Sequence, residues 1–244
     1  MTTEPRLHAR IAHADALDPE SGLRHVRLDV TPDADAAGQY VKVWTRRPGT
    51  GEDALRYVSL ASAPGRPAEL LLMPSGSEDA ADPARMPIGA SLHVSARAAG
   101  SLTLAGVPAR RVLWLLAAGT GLAPMRAILQ QGVPERFEHV VLVHAVQREA
   151  RLAFADEFRA LQRTGRLRYL PMLSREQQDG MLFGRIPAAI DDGRLATVAG
   201  LPLDAEHAAA LVCGSESMVA ETRAALGRIG LSLEPAARVV VTEW

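Results

Sequence analysis

The sequence predicts two domains, an antiparallel β-barrel followed by an α/β domain with a Rossmann-like parallel sheet. Three observations carry this. Before about residue 108, short strand-like runs alternate with turn residues and helical patterns are few. After residue 110 the pattern becomes strand, turn, helix, repeated, as in a parallel sheet covered by helices. Between the two, "LAGVPAR" (104–110) marks a link, and the expected domains are residues 1–106 and 107–244.

In the first half, "LRHVRLDV", "GQYVKVW", "RYVSLAS", "AELLLM" and "SLHVSA" have strand lengths and β-branched or alternating apolar residues. Turn-rich segments such as "RRPGTGED", "APGRPA" and "MPIGA" separate them. In the second half, "RVLWLLA" precedes the helical "PMRAILQQ", and "HVVLVHA" precedes "RLAFADEFRALQ". "RLRYLPML" then leads to "IPAAIDDG", and "AALVCG" to "SMVAETRAALGRIG". No internal repeat or low-complexity tract interrupts the order.

Composition narrows the function classes. Hydrophobic residues make up 48% of the 244 and charged residues 23%, enough apolar matter for a substantial core. The net charge of −1 leaves no footprint for nucleic acid or an anionic membrane. No apolar run nears the roughly 20 residues that span a bilayer, and the charged start "MTTEPRLHAR" lacks a secretory pattern. A cytoplasmic protein is the expectation. Cys213 is the only cysteine, so neither an internal disulfide nor an iron–sulfur cluster is available. His144 follows four apolar residues with no second ligand at metal spacing; it reads as a structural histidine, and no metal site is expected.

Gly119-Thr120-Gly121-Leu122-Ala123-Pro124 leaves the first strand of the second half. It lacks the Gly-Lys-Ser/Thr ending of a triphosphate-binding loop, and a proline stands where a dinucleotide fingerprint has its third glycine. Proline is tolerated at a first helical position, and the N–H groups of the helix start still suit an anion. The turn alone is compatible with a plain strand–helix connection.

Its companions are more telling. "AGQYVKV", "RYVSLASAP", "AAGSLTL", "AAGTGLAP", "VLVHA", "SRE…GMLFGRIPAAI", "LVCGSESMV" and a terminal tryptophan occur in one order along nearly the whole chain. In this the sequence resembles the bacterial branch of the ferredoxin (flavodoxin)–NADP reductase family. The resemblance implies a flavin-binding barrel, an NADP-binding α/β domain, FAD and NADP as cofactors, and a small acidic ferredoxin or flavodoxin as partner to a monomer. It places Arg56 at the flavin pyrophosphate or beside the nicotinamide nucleotide, and Ser59 near the reactive flavin nitrogen. Val58 stands where relatives stack a tyrosine, while Tyr57 sits one place earlier and, by strand alternation, on the other face. Leu71, Leu72 and Met73 lead into the flavin-phosphate loop, which here reads "PSGSEDAADPARM"; Ser75, Ser77 and Arg85 are possible donors, while Glu78 and Asp79 would repel phosphate. Gly100 and Ser101 fall in a close turn near the flavin.

On the nucleotide side the resemblance assigns Thr120, Gly121 and His144 to the lining of the site. Ser174, Arg175 and Arg185 match the anchor of the adenosine 2′-phosphate, for which planar, permanently charged guanidinium suits the chemistry. A third family arginine is Gln147 here, with Arg148 one place later as a candidate substitute. Cys213 and Gly214 are placed beside the nicotinamide, Ser59 and Cys213 being the candidate catalytic residues. Trp244 is expected to stack on adenine or isoalloxazine, with Glu243 in place of an aromatic. Arg46, Arg47, Arg85 and Arg97 are candidates for a carrier-docking rim. The function implied is electron exchange between NADPH and the carrier. Two alternatives stay open: an NADPH-dependent flavin, quinone or oxygenase-component reductase, and a nucleotide-binding protein that has lost its flavin.

Overall fold

The computed structural model describes residues 4–47, 49–75, 81–231 and 239–241. Six strands form the first sheet: β1 (Arg6–Asp18), β2 (Leu23–Leu28), β3 (Tyr40–Arg46), β4 (Asp53–Ser59), β5 (Glu69–Leu72) and β6 (Ser91–Ser95). Their order is β4-β3-β6-β1-β2-β5, and every pairing is antiparallel. The sheet curls until its edges meet at a single bridge, Leu60 with Leu70, rather than along a full ladder. It is barrel-like without closing completely. Inward residues Ala9, Ile11, Val26, Val41, Val43, Val58, Leu70 and Val94 alternate with outward polar ones and fill the interior.

The second sheet is parallel throughout, in the order β10-β9-β8-β7-β11-β12. Its strands are β7 (Val112–Ala118), β8 (His139–Val146), β9 (Arg168–Leu173), β10 (Leu182–Phe183), β11 (Ala208–Gly214) and β12 (Val239–Val241). Five helices accompany it among the described residues: α1 (Leu122–Gln131), α2 (Ala155–Arg163), α3 (Ile186–Asp191), α4 (Arg194–Ala199) and α5 (Glu216–Arg228). β7 is buried along nearly its whole length because helices and barrel cover both its faces, hence the unbroken apolar run "VLWLL".

The sheets are separated by residues 96–111, which include the division expected between residues 106 and 107. One hydrophobic core nevertheless crosses this link. Leu23, Ala61, Leu71 and Leu102 of the first half pack with Leu113, Leu115, Met125 and Ile128 of the second. Helix α1 also bonds across it: Gln130 and Gln131 accept from the Ala63 and Ala37 N–H groups, and buried Arg126 donates to the Ala61 carbonyl. Arg126 further reaches Glu69 at 2.6 Å and Glu157 at 2.8 Å, and covers the Phe154 ring at 4.1 Å. His25 lies 2.9 Å from the same Glu69 carboxylate. The hydrogen bond from His25, then Arg126, hold the Glu69 carboxyl down to about 2 despite its burial.

Candidate functional site: a cleft at the strand ends

Ligands of open α/β sheets bind beyond the carboxyl ends of the strands, and a cavity of about 350 Å³ lies there. Ala118, Gly119 and Thr120 line it from the end of β7, Ala145, Val146 and Gln147 from β8, and Ser174 from the residue after β9. Gly184, Arg185, Ile186 and Pro187 close one end, Ser215, Ser217 and Met218 at the start of α5 another, and Leu23 and Met73 come from the barrel.

The turn after β7 is a single tight 3-10 turn, Gly119–Gly121, leading directly into α1. A Cβ on Gly121 would lie 2.3 Å from the Cys213 carbonyl oxygen, so only glycine lets this turn pack against β11. Pro124 is the third residue of the helix rather than the first; its position still needs no intrahelical N–H bond. The close packing fixes Thr120, whose buried hydroxyl has no hydrogen-bond partner among the described residues although its residue lines the cavity. An orphaned hydroxyl costs free energy unless something fills the role of partner, and a bound nucleotide would do so. Ser215 caps α5 by accepting from the Met218 N–H at 3.4 Å, which directs this helix start at the cleft as well.

Several expected residues converge here. Thr120, Ser174 and Arg185 line the cavity, while Gly121 and Gly214 shape its wall. Arg175 is exposed next to Ser174, outside the lining itself. Arg148 does not line the cleft; it is exposed, 4.0 Å from Glu176. The guanidinium that does reach the cleft near Gln147 is Arg151, 2.9 Å from the Gln147 side-chain oxygen and 3.0 Å from Asp18 of the barrel. Sequence reasoning missed it because its partner Asp18 lies 133 positions away; the available signal was its four-residue spacing from Gln147.

Two expectations need correcting. His144 is fully buried beneath the cleft, not part of its lining: Nδ1 meets the Tyr169 hydroxyl at 3.1 Å and Nε2 has no partner among the described residues. Burial pushes its pKa down to about 3, so the ring is neutral. Cys213 is likewise fully buried, and burial pushes its thiol up to about 12. Its side chain belongs to the hydrophobic core shared by both halves, and its backbone meets the glycine turn.

The barrel side is arranged differently. Val58 points into the barrel core, 3% exposed, and Leu72 does the same, while Leu71 joins the core shared by both halves. Tyr57 lies on the outer face, 56% exposed, edge-on to Tyr40 at 5.6 Å. Ser59 is buried at the end of β4, opposite Tyr40. A Cβ on Gly100 would lie 2.8 Å from the Tyr40 ring, so Gly100 is a packing contact, with Ser101 exposed beside it. Arg56 is committed: it donates to Asp82 at 2.6 Å and to the Met73 carbonyl at 3.2 Å. Of the expected docking rim, Arg46, Arg47 and Arg85 are exposed and Arg97 is paired with Asp35. Ser77, Glu78, Asp79, Glu243 and Trp244 lie outside the described residues.

A barrel-like sheet joined to a parallel sheet, with a cavity at the strand ends, defines a two-domain protein of the nucleotide-binding α/β class. Residues 115–224 accordingly match the Oxidoreductase NAD-binding domain family. The flavodoxin/ferredoxin–NADP reductase of Escherichia coli K12 is 36% identical over 191 residues, 77% of each chain. The ferredoxin–NADP reductase of Pseudomonas aeruginosa is 34% identical over 60% of each. A ferredoxin NADP+ reductase from Neisseria gonorrhoeae with bound FAD and NADP superposes with a TM-score of 0.83, at 25% identity over 92% of both chains. The chain belongs to the flavodoxin/ferredoxin–NADP reductase family. Among the described residues no helix is long and apolar enough to cross a membrane, and no group of three or more His, Cys, Asp or Glu side chains suits a metal ion.

Proposed function

We propose that the protein is an FAD-dependent oxidoreductase exchanging electrons between NADP(H) and a ferredoxin or flavodoxin. In this reading residues 1–106 carry the flavin and residues 107–244 the nicotinamide nucleotide. The observation that carries it is the cleft itself: an orphaned Thr120 hydroxyl in its wall and a serine–arginine pair, Ser174 and Arg185, in its lining. Neither Arg185 nor Arg175 has a side-chain partner among the described residues, so both guanidinium groups are available to a phosphate monoester. That donor set fits the 2′-phosphate of NADP, which NAD lacks. On the flavin side Arg56, the Ser75 hydroxyl and backbone N–H groups are donors of the kind a phosphate takes, and they converge on the Asp82 carboxylate.

Bound FAD supplies the conversion between a two-electron hydride donor and a one-electron carrier. The chain's own residues bind and orient. Arg185, Arg175 and Ser174 hold the phosphorylated ribose, and the Gly119–Gly121 turn leaves room for close approach of the nucleotide backbone. Thr120 donates to or accepts from the nucleotide, and buried Cys213 belongs to the apolar core behind the turn. The cytoplasm is the compartment that suits one buried cysteine and no disulfide. A monomer suffices, because one chain builds the whole cleft.

The test is anaerobic reduction of a flavodoxin or ferredoxin by NADPH, with the protein and FAD present. Carrier reduction that requires all components is expected. NADPH oxidation that reaches free flavin or quinone, and neither carrier, would replace the carrier with a small acceptor. The commitment of Arg56 to Asp82 is the observation that favours this second reading, a flavin reductase.

A further inference from the structure

Asp82 is the most heavily bonded carboxylate in the described barrel. Its Oδ1 accepts from Arg56 Nη1 at 2.6 Å and from the Ala84 N–H at 2.9 Å. Its Oδ2 accepts from the Ser75 N–H at 2.6 Å and from the Ser75 hydroxyl at 2.9 Å. The side chain is 1% exposed. A guanidinium, two backbone N–H groups and a hydroxyl directed at one anion make the donor set of a phosphate site. The anion that fills it belongs to the chain. Arg56 also donates to the carbonyl of Met73, a residue lining the cleft, so the cluster adjoins the ligand path.

We propose that this cluster is a phosphate subsite held closed by Asp82, so that a flavin nucleotide takes its donors only by displacing the carboxylate. The inference rests on the flavin reading above and deepens it. Displacement exchanges one anion for another on the same donors, so the ligand phosphate adds little net affinity. The isoalloxazine then carries most of the binding, and the flavin exchanges readily. Asp82 acts as a competitor that sets how tightly flavin phosphates are held.

Equilibrium dialysis in the dark against riboflavin and flavin mononucleotide, which differ by one phosphate, tests this. Wild-type protein is expected to bind the two within about threefold of each other. Asp82→Asn keeps one acceptor oxygen, enough for either Ser75 or the Ala84 N–H, and removes the charge. It is expected to tighten flavin mononucleotide by about tenfold or more and leave riboflavin unchanged. A wild-type preference for the phosphorylated flavin of about a hundredfold or more overturns the inference, and so does a folded D82N with unaltered or weaker binding of flavin mononucleotide. If D82N does not fold by circular dichroism, the wild-type ratio decides. Failure of FAD, flavin mononucleotide and riboflavin alike to bind either protein overturns the flavin reading and this inference together; the other contrary results overturn the inference alone.

Discussion

Arginine is used in opposite ways at the two sides of the ligand path. Beside β9 and α3, Arg175 and Arg185 carry charge with no side-chain partner among the described residues. On the barrel and at the seam, Arg56 and Arg126 are held by Asp82 and by Glu69 with Glu157. An uncommitted guanidinium keeps its pairing capacity open, whereas a committed one already holds a counter-charge that an incoming anion has to displace. One residue type is therefore left with open pairing capacity in one region and held in ion pairs in the other. Only the partners distinguish them.

The largest effect is expected at the turn that joins β7 to α1. Gly121→Ala forces a Cβ against the Cys213 carbonyl and should cost about 3 kcal/mol by urea denaturation; an unchanged midpoint would mean that the turn is not clamped to β11. On the uncommitted side, replacing both Arg175 and Arg185 with Ala should raise KM for NADPH about a hundredfold while NADH changes less than about twofold. Equal losses with both nucleotides would show that these arginines do not read the 2′-phosphate.

On the committed side the expected effect is smaller and depends on pH. The Glu69 carboxyl is held at about 2, below its ordinary 4.5, so its stabilising contribution is present above about pH 4.5 and fades as pH falls toward 2. Glu69→Gln should remove about 2 kcal/mol at neutral pH and flatten that acid limb. A mutant whose acid limb parallels the wild type would assign the limb to other groups. The smallest effect is expected at Cys213, whose thiol should resist alkylation at pH 8 until the protein unfolds. Rapid modification of the native protein would contradict that burial.

Much of this architecture was legible because hydrophobic period reports burial directly. The runs at β7, β8 and β11 have both faces covered, and their apolar continuity is visible in the sequence. Strand β1 was not foreseen. Its stretch "RLHARIAHADALD" buries chiefly Ala9 and Ile11, and two register shifts, between Ile11 and His13 and between Ala16 and Asp18, break the alternation that would announce it. Helix α2 starts at Ala155 rather than near Arg151, because Phe154 takes a left-handed conformation with φ of 56°. This leaves Arg151 in a short separate turn, facing Asp18.

The site divides in the same way. Ser174, Arg185 and the glycine turn lie on contiguous motifs, so family resemblance located them. The Arg56–Asp82 pair spans 26 positions and the Arg126–Glu69 pair spans 57, and no local pattern reports such pairing. The inward face of Val58 followed from alternation with Tyr57, but its enclosure by barrel residues required the folded sheet.

The most direct test of the account is an anaerobic titration of the FAD-loaded protein, following flavin absorbance as NADPH and, separately, NADH are added. The account predicts that NADPH bleaches the flavin band at a concentration about a hundredfold below that needed for NADH. Bleaching at equal concentrations of the two would contradict it, because Arg175 and Arg185 would then not be reading the 2′-phosphate.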